Sequence, residues 1–441
     1  MKGVRLTLIL LFFPLAAVTG ALGQASALPA SPSPVTAAAP APNDAPGRSS
    51  SVSVPLTITQ ALDLAEQNSP LLQEAGASVE RAQAGVQTAK AYTNPVFEFL
   101  GGNQSARPIA TPGVPGATLH YSASQLFEIP RERQKRIQAS QLGLISNKYR
   151  SAGIQLSLNA YVKRAFYDVI RRKEQLANAE SNLTLVEDLR RRVRLEVEVG
   201  EKGKLELTRA EAETARALAA VRSADIELAK ARAILKAAIG SPSEELFDAQ
   251  GSLGDSVKID SLSNLRQQVL ANHPALSEIN ALATRSRIIV DHERARRIPE
   301  PAFYGEYERQ PDISFFRFGV AVNVPLWDRR KGPIAEAQAE VSRTDALARQ
   351  RRLEITAALE RAYDQYQISN QQVEGLQAGS LREAQAAVDA AQSAYRFGER
   401  GIVEVFDAQR VLQGVRNDLL DALYARQSAM TDLEELGVKH Q

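Results

Sequence analysis

The chain has 441 residues, no cysteine, 6% aromatic residues and a formal net charge of +2. These values exclude a disulfide-stapled miniature and a lipid anchor on a processed cysteine, and the near-neutral charge points to no strongly charged partner such as nucleic acid. The length allows a large core, and the Ala, Leu, Glu, Gln and Arg of the middle favour long helices packed through small residues.

Lys2 and Arg5 precede an apolar run from Leu6 to Leu22, and small residues follow at Ala21-Leu22-Gly23 and Ala25-Ser26-Ala27. That is the layout of a secretory signal peptide over residues 1–27, with either small-residue group open as the cleavage site. A membrane anchor is the competing reading, weakened by the short run and by Pro14 inside it. Residues 28–51 are rich in Ala, Pro and Ser and read as a flexible leader. No later stretch approaches about 18 uninterrupted apolar residues, so any later membrane crossing must use strands closed into a barrel.

The rest of the chain repeats itself. Asn68-Ser69-Pro70-Leu71-Leu72 returns as Asn272-His273-Pro274-Ala275-Leu276, and Asn94-Pro95-Val96-Phe97 as Glu300-Pro301-Ala302-Phe303. Val199-Gly200-Glu201-Lys202-Gly203 through Leu207 returns as Phe397-Gly398-Glu399-Arg400-Gly401 through Val405, with both glycines and both glutamates at one offset. Two repeats follow, residues 52–248 and 249–437. In the first, Thr59 caps a short helix to Gln67 that Pro70 breaks, and a second helix runs from Pro70 to Tyr92. Strands are expected at about 94–104 and 117–129, a long helix from about Arg133 to Val199, a turn at Gly200–Gly203, and a helix from Lys204 to Ile239 stopped at Gly240. The second repeat predicts a helix from Pro274 to Ile298, strands at about 301–310 and 312–326, a helix from Pro333 to Phe397, a turn at Gly398–Gly401, and a helix from Ile402 to Leu436. At 1.5 Å per residue the long helix spans about 100 Å, the reach of a tube wall or a rod. Ala408, Leu412, Val415, Leu419, Ala422, Arg426, Ala429 and Leu433 form a heptad-type seam, matched by Ala210, Thr214, Ala217, Val221, Ala224, Leu228, Ala231 and Leu235. The helices alone fit an ordinary soluble coiled coil equally well.

The strands favour a membrane. Phe316, Phe318, Val320, Val322 and Val324 alternate with Phe315, Arg317, Gly319, Ala321 and Asn323, and Leu119 to Phe127 alternates likewise. Period-2 segments of this length match tilted membrane strands. Four strands cannot close a barrel, which needs about eight, so the reading demands an oligomer. Two copies would leave little lumen; three would give twelve strands and a pore. The Gly/Pro/Ala-rich connection from Gly101 to Gly116 reads as an exposed loop.

Leu56-Thr57-Ile58-Thr59-Gln60-Ala61-Leu62 with Asn68-Ser69-Pro70, the Asn94-Pro95 strand entry, Gln125 to Ile129 before a basic helix start, and Tyr395 through Gly398 to Arg410 carry a resemblance. From about Val52 onward the chain resembles the TolC-type outer-membrane efflux factors, most of all the branch serving cobalt-zinc-cadmium heavy-metal pumps. The resemblance implies a mainly α protein with a transmembrane β-barrel: a homotrimer with a twelve-stranded barrel in outer-membrane lipid and a helical periplasmic tunnel. It implies that Gly200, Glu201, Lys202, Gly203, Gly398, Glu399 and Gly401 form tips that dock a periplasmic adaptor joined to an inner-membrane RND-type transporter. It further implies that Glu404 and Asp407 line a pore constriction, and that Tyr395 and Arg400 hold the entrance closed against Glu206. The bland alternative for Glu404 and Asp407 is a solvated helix face. Some metal-branch members carry a lipidated N-terminal cysteine, which this chain lacks. Arg131 to Arg136 and Asp328 to Lys331 open equivalent long helices, and either lipid headgroups or water could meet them.

No enzyme or cofactor signal is present. His120, His273, His292 and His440 lack metal-ligand spacing, and Gly200 to Lys204 has the wrong spacing for a phosphate loop, with Leu205 where Ser or Thr belongs. The expectation is therefore a passive exit duct for metal cations or small toxic compounds, with no catalytic, metal or cofactor site of its own. A type I protein-secretion duct and a structural periplasmic coiled-coil protein are the alternatives.

Overall fold

The computed structural model describes residues 53–105, 114–241, 246–254 and 259–438. The expected signal peptide and leader, and residues 106–113 of the expected loop, lie outside the described residues. The first repeat runs β1 (Ser53–Leu56), α1 (Ile58–Asn68), α2 (Pro70–Lys90), β2 (Val96–Gln104), β3 (Gly116–Leu126), α3 (Pro130–Glu198) and α4 (Lys204–Ile239). The second runs β4 (Leu246–Ala249), α5 (Leu262–Asn272), α6 (Pro274–Ala295), β5 (Pro301–Arg309), β6 (Ser314–Val322), α7 (Lys331–Gly375), a π turn at Leu376–Ser380, α8 (Leu381–Arg396) and α9 (Ile402–Glu435).

Local chemistry sets these boundaries. Thr57, not Thr59, caps α1: its hydroxyl accepts from the Gln60 N–H, and the Gln60 side chain accepts from the Thr57 N–H. α2, α3 and α6 each begin on a proline, whose fixed φ suits a first turn that needs no N–H partner. α3 therefore starts at Pro130, ahead of the expected Arg133. α4 stops at Gly240 in the left-handed region (φ 71°), with its Cβ direction 3.2 Å from the Asn68 carbonyl oxygen.

The seam positions face inward. Ala210, Thr214, Ala217, Leu228, Ala231 and Leu235 of α4 and Leu412, Ala422, Arg426, Ala429 and Leu433 of α9 are buried. Small residues let helices close up elsewhere too: Ser286 of α6 and Thr344 of α7 are buried, and their hydroxyls meet at 3.0 Å. The largest core gathers α1, α3, α4, α9 and the parallel pair β1–β4 around Phe166, Val169, Leu235 and Ile239. That strand pair joins the two repeats, and β4 lies across the boundary expected at 248/249.

The second sheet is antiparallel throughout, in the order β2-β3-β5-β6. Its register aligns Phe99, Tyr121, Tyr307 and Phe316 in one cross-strand row, with Phe97, Ala123, Gly305 and Phe318 in the next. Phe97 is 77% exposed and Phe318 80%, so this face is apolar and open. The opposite face carries the row Glu98, Ser122, Glu306 and Arg317. Arg317 pairs there with Glu306 and, at 2.9 Å, with Glu308. A greasy face backed by a charged one is the pattern of a barrel wall with lipid outside and water inside. Among the described residues the outer edges of β2 and β6 have no partner strand, so such a sheet needs a neighbour. Among the described residues no helix is long and apolar enough to cross a membrane.

Candidate functional site

The two helix reversals are copies of one another. After α3, Gly200 (φ 86°) turns left-handed; the Glu201 and Lys202 N–H groups donate to the Glu196 carbonyl at 2.8 and 3.2 Å. After α8, Gly398 (φ 74°) does the same; the Glu399 and Arg400 N–H groups donate to the Ala394 carbonyl at 2.9 and 3.3 Å. Each reversal satisfies the last carbonyls of its helix in a Schellman-type cap, which only glycine enters without strain. Gly203 and Gly401 have ordinary extended geometry and stand as the N-caps of α4 and α9.

The tips pack against each other. Val186, Leu189 and Val193 of α3 and Ala210 of α4 meet Tyr395, Ile402, Val405 and Phe406 in a buried cluster. The Tyr395 hydroxyl donates to Glu196 Oε2 at 2.6 Å, and the Lys202 ammonium sits 5.5 Å from the Tyr395 ring centre. Burial first, then the bond to Glu196 and the charge of Glu206, push the Tyr395 phenol up and keep it a donor. Glu206 lies nearby, but within the chain the bond goes to Glu196, and Glu206 Oε2 is a buried atom with no hydrogen-bond partner. Arg400 is exposed on the second turn. Glu196 escaped sequence reasoning because it lies 199 residues from Tyr395, and only the packed hairpins bring them together.

Glu404 and Asp407 lie on one exposed face of α9, one turn apart. Asp407 is not free: Arg410 Nη1 lies 2.7 Å from its Oδ1, and Arg410 Nε is 3.6 Å from Glu213 of α4. Glu404 is the carboxylate left facing outward, its Oε2 3.4 Å from where a Cβ on Gly401 would sit. The arrangement offers two acids on one exposed helix face, one of them paired with Arg410, and a buried tyrosine–carboxylate tie between the hairpins. Among the described residues, no group of His, Cys, Asp and Glu could hold a metal ion.

The basic helix starts turn inward more than outward. Arg136 makes a two-pronged bond to Glu128 at 2.9 and 2.8 Å, and Arg330 donates to Glu293 at 3.1 and 2.5 Å. Arg131 and Arg329 are exposed.

Known proteins share this plan. A family profile described as "Outer membrane efflux protein" matches residues 61–241 and 265–437. The chain is similar to the cobalt-zinc-cadmium resistance protein CzcC of Cupriavidus metallidurans, 25% identical over 389 residues, covering 87% of this chain and 90% of that one. It is also similar to the nickel-cobalt-cadmium resistance protein NccC of Alcaligenes xylosoxydans xylosoxydans, 26% identical over 306 residues, or 67% of each. Among solved structures it resembles the CusC transmembrane channel, with a TM-score of 0.75 and 19% identity over 87% of this chain and 92% of that one. The chain belongs to the outer membrane efflux protein family, with the helical-tunnel and barrel fold of its channels.

Proposed function

We propose that three copies of the chain close into one passive duct, which carries metal cations out of the periplasm across the outer membrane. The sheet carries this reading: four strands per chain with one apolar face, one charged face and two unpaired edges. Three such sheets complete a twelve-stranded wall in lipid, and α3, at 1.5 Å per residue, reaches about 100 Å into the periplasm. The duct performs no chemistry on its cargo; an inner-membrane RND-type transporter supplies the energy. A periplasmic adaptor docks on the tips at Gly200–Gly203 and Gly398–Gly401, where backbone is exposed beside flexible side chains.

At the entrance, Glu404 and Asp407 repeat threefold as acidic rings, which concentrate cations in a narrow opening. Tyr395 and Arg400 restrain the closed state, with Glu206 the free carboxylate beside them. Metal cargo is favoured because CzcC and NccC are named for resistance to cobalt, cadmium and zinc or nickel.

The test is growth on graded cobalt, zinc and cadmium of a strain lacking this chain. Wild-type protein restores growth. Gly203→Asp and Gly401→Asp, which place a good capping residue at an N-cap, assemble normally but fail to restore it. Full resistance from both variants removes the tips as docking sites. Restored secretion of a protein substrate, with no change in metal tolerance, would establish the secretion duct instead.

A further inference from the structure

The four links between helices and strands lie at one end of the antiparallel sheet and form a polar collar there. The collar is where the chain concentrates positive charge. Residues 89–95, 127–136, 291–300 and 325–331 hold eleven Lys and Arg against six Asp and Glu, whereas the whole chain holds 53 against 51. Inside the collar the acids are taken up. Glu128 is gripped by Arg136 at 2.9 and 2.8 Å, Glu293 by Arg330 at 2.5 Å, and Asp291 by Lys135 at 3.1 Å. Glu132 has Arg296 Nε at 3.6 Å. Glu300 accepts from the Ile129 N–H at 3.3 Å, and Asp328 from the Arg330 N–H at 2.8 Å.

What remains is a spare cation in each link. Lys90 ends α2, Arg131 opens α3, Arg297 precedes β5 and Arg329 precedes α7; all four are exposed, and among the described residues none is held by an ion pair. Aromatic groups stand beside them. Trp327, the only tryptophan, lies two residues before Arg329 and is 94% exposed. Tyr92 lies two residues after Lys90 and is 70% exposed, with the Arg133 guanidinium 4.2 Å from its ring centre. The exposed Phe127 meets Phe303 edge-on at 4.9 Å, and Phe303 precedes Gly305 by two on the apolar face of the sheet. The apolar face therefore runs on into the basic collar without a break.

We propose that the collar is a binding surface for anionic phospholipid: Lys90, Arg131, Arg297 and Arg329 take lipid phosphates, and Trp327, Tyr92 and Phe127 lie among the groups just beneath them. Charge complementarity and continuity with the lipid-facing sheet carry the assignment. Lys and Arg at a membrane edge reach headgroups while their stems stay in apolar surroundings, and Trp and Tyr settle at the same level. Mere solvation of the helix starts gives no reason for the collar to occupy its acids internally and leave a cation over in every link. With the tunnel helices in the periplasm, this end of the sheet meets the periplasmic leaflet. The inference rests on the reading of the sheet as a wall in lipid and is independent of the cargo.

Trp327 is also the reporter. Purified protein is reconstituted in phosphatidylcholine vesicles that contain, at one fixed fraction, either phosphatidylglycerol or phosphatidylcholine brominated on its acyl chains. Bromine quenches tryptophan on contact, so Trp327 emission reports which lipid lies beside the collar. Brominated phosphatidylglycerol should quench wild type roughly twofold more than brominated phosphatidylcholine. The excess should shrink in about 1 M salt, where the screening length falls to about 3 Å. Lys90→Gln, Arg131→Gln, Arg297→Gln and Arg329→Gln combined should lose the excess but keep the quenching by brominated phosphatidylcholine, which shows that the sheet has inserted. Each half of that set, Lys90→Gln with Arg131→Gln or Arg297→Gln with Arg329→Gln, should lose part of the excess, so the test survives a fourfold variant that does not insert. Four exposed tunnel cations removed instead, by Arg209→Gln, Arg222→Gln, Arg349→Gln and Arg352→Gln, should leave it unchanged. Equal quenching of wild type by the two lipids overturns the site and leaves the sheet in lipid; no quenching by either overturns both. An excess that survives the collar substitutions, or that the tunnel substitutions remove, also overturns the site.

Discussion

Single residues with unusual surroundings separate what the tips need from what they merely contain. Gly200 and Gly398 sit at positive φ, and Gly203 and Gly401 do not. Replacing Gly200 or Gly398 by Ser should cost about 1–2 kcal/mol each, whereas Gly203→Ser, at an N-cap of ordinary φ, should change stability by less than about 0.5 kcal/mol. Thermal melts of the purified variants check this, and equal losses at all sites would contradict the turn assignment. His273 shows how a histidine without metal-ligand spacing acquires a role. Its Nδ1 accepts from the Ala275 N–H at 3.1 Å, capping α6, and burial pushes the imidazole down so that it stays an acceptor. His273→Ala should cost about 1 kcal/mol and His273→Ser much less. Because the folded value lies below the unfolded one, this contribution is complete above about pH 6.5 and is lost as pH falls through the lowered folded value. A pH-independent loss in the alanine variant would rule the cap out. The sequence offered no sign of this role, since a histidine cap is uncommon and its hydrogen bond depends on neutrality.

Helices and strands were legible to different depths, and the failures have physical causes. Periodic apolar positions placed α4 at its observed ends, because Gly203 and Gly240 mark both. The expected strands overran at the helix-proximal ends: 117–129 became Gly116–Leu126, and 312–326 became Ser314–Val322. Alternation continues through Phe127, Val324 and Leu326, while the strands themselves end at Leu126 and Val322. β1 and β4 were missed because four residues are too few to show a period. The long helix expected from Pro333 to Phe397 is interrupted by the π turn at Leu376–Ser380, across which the inward positions step by five, from Leu376 to Leu381, instead of by three or four. Gly375 and Gly379 flank and enter that turn, with nothing within 4 Å of a Cβ at either. No close packing demands glycine there, so Gly375→Ala should stabilise the chain by about 0.5–1 kcal/mol. If Gly375→Ala and Gly379→Ala together also lower channel activity, the glycines serve motion at the turn; an unchanged activity assigns them no such part.

The whole molecule follows from a mismatch between what one chain buries and what it exposes. The helices have their own core around Phe166, Leu235 and Leu433, yet the sheet leaves Phe97, Phe316 and Phe318 uncovered and both edges unpaired. The duplication and the amphipathic strands were readable in the sequence, and they lead to a closed assembly in lipid. The entrance was less legible: the tip glycines and acids could be named, but Arg410 beside Asp407 and Glu196 beside Tyr395 emerge only from packed helices. Single-channel recording of the purified protein in planar bilayers tests the central claim, a passive cation-favouring duct, most directly. Wild type should insert as uniform conductance steps that need no nucleotide or proton gradient, favour cations, and are blocked by millimolar divalent ions added at the tunnel end. Glu404→Ala with Asp407→Ala should keep the steps but lose most of the selectivity and block, whereas Tyr395→Phe with Arg400→Ser should raise the conductance. Folded wild-type protein that forms no steps, or a double-alanine variant with wild-type selectivity and block, would contradict the account.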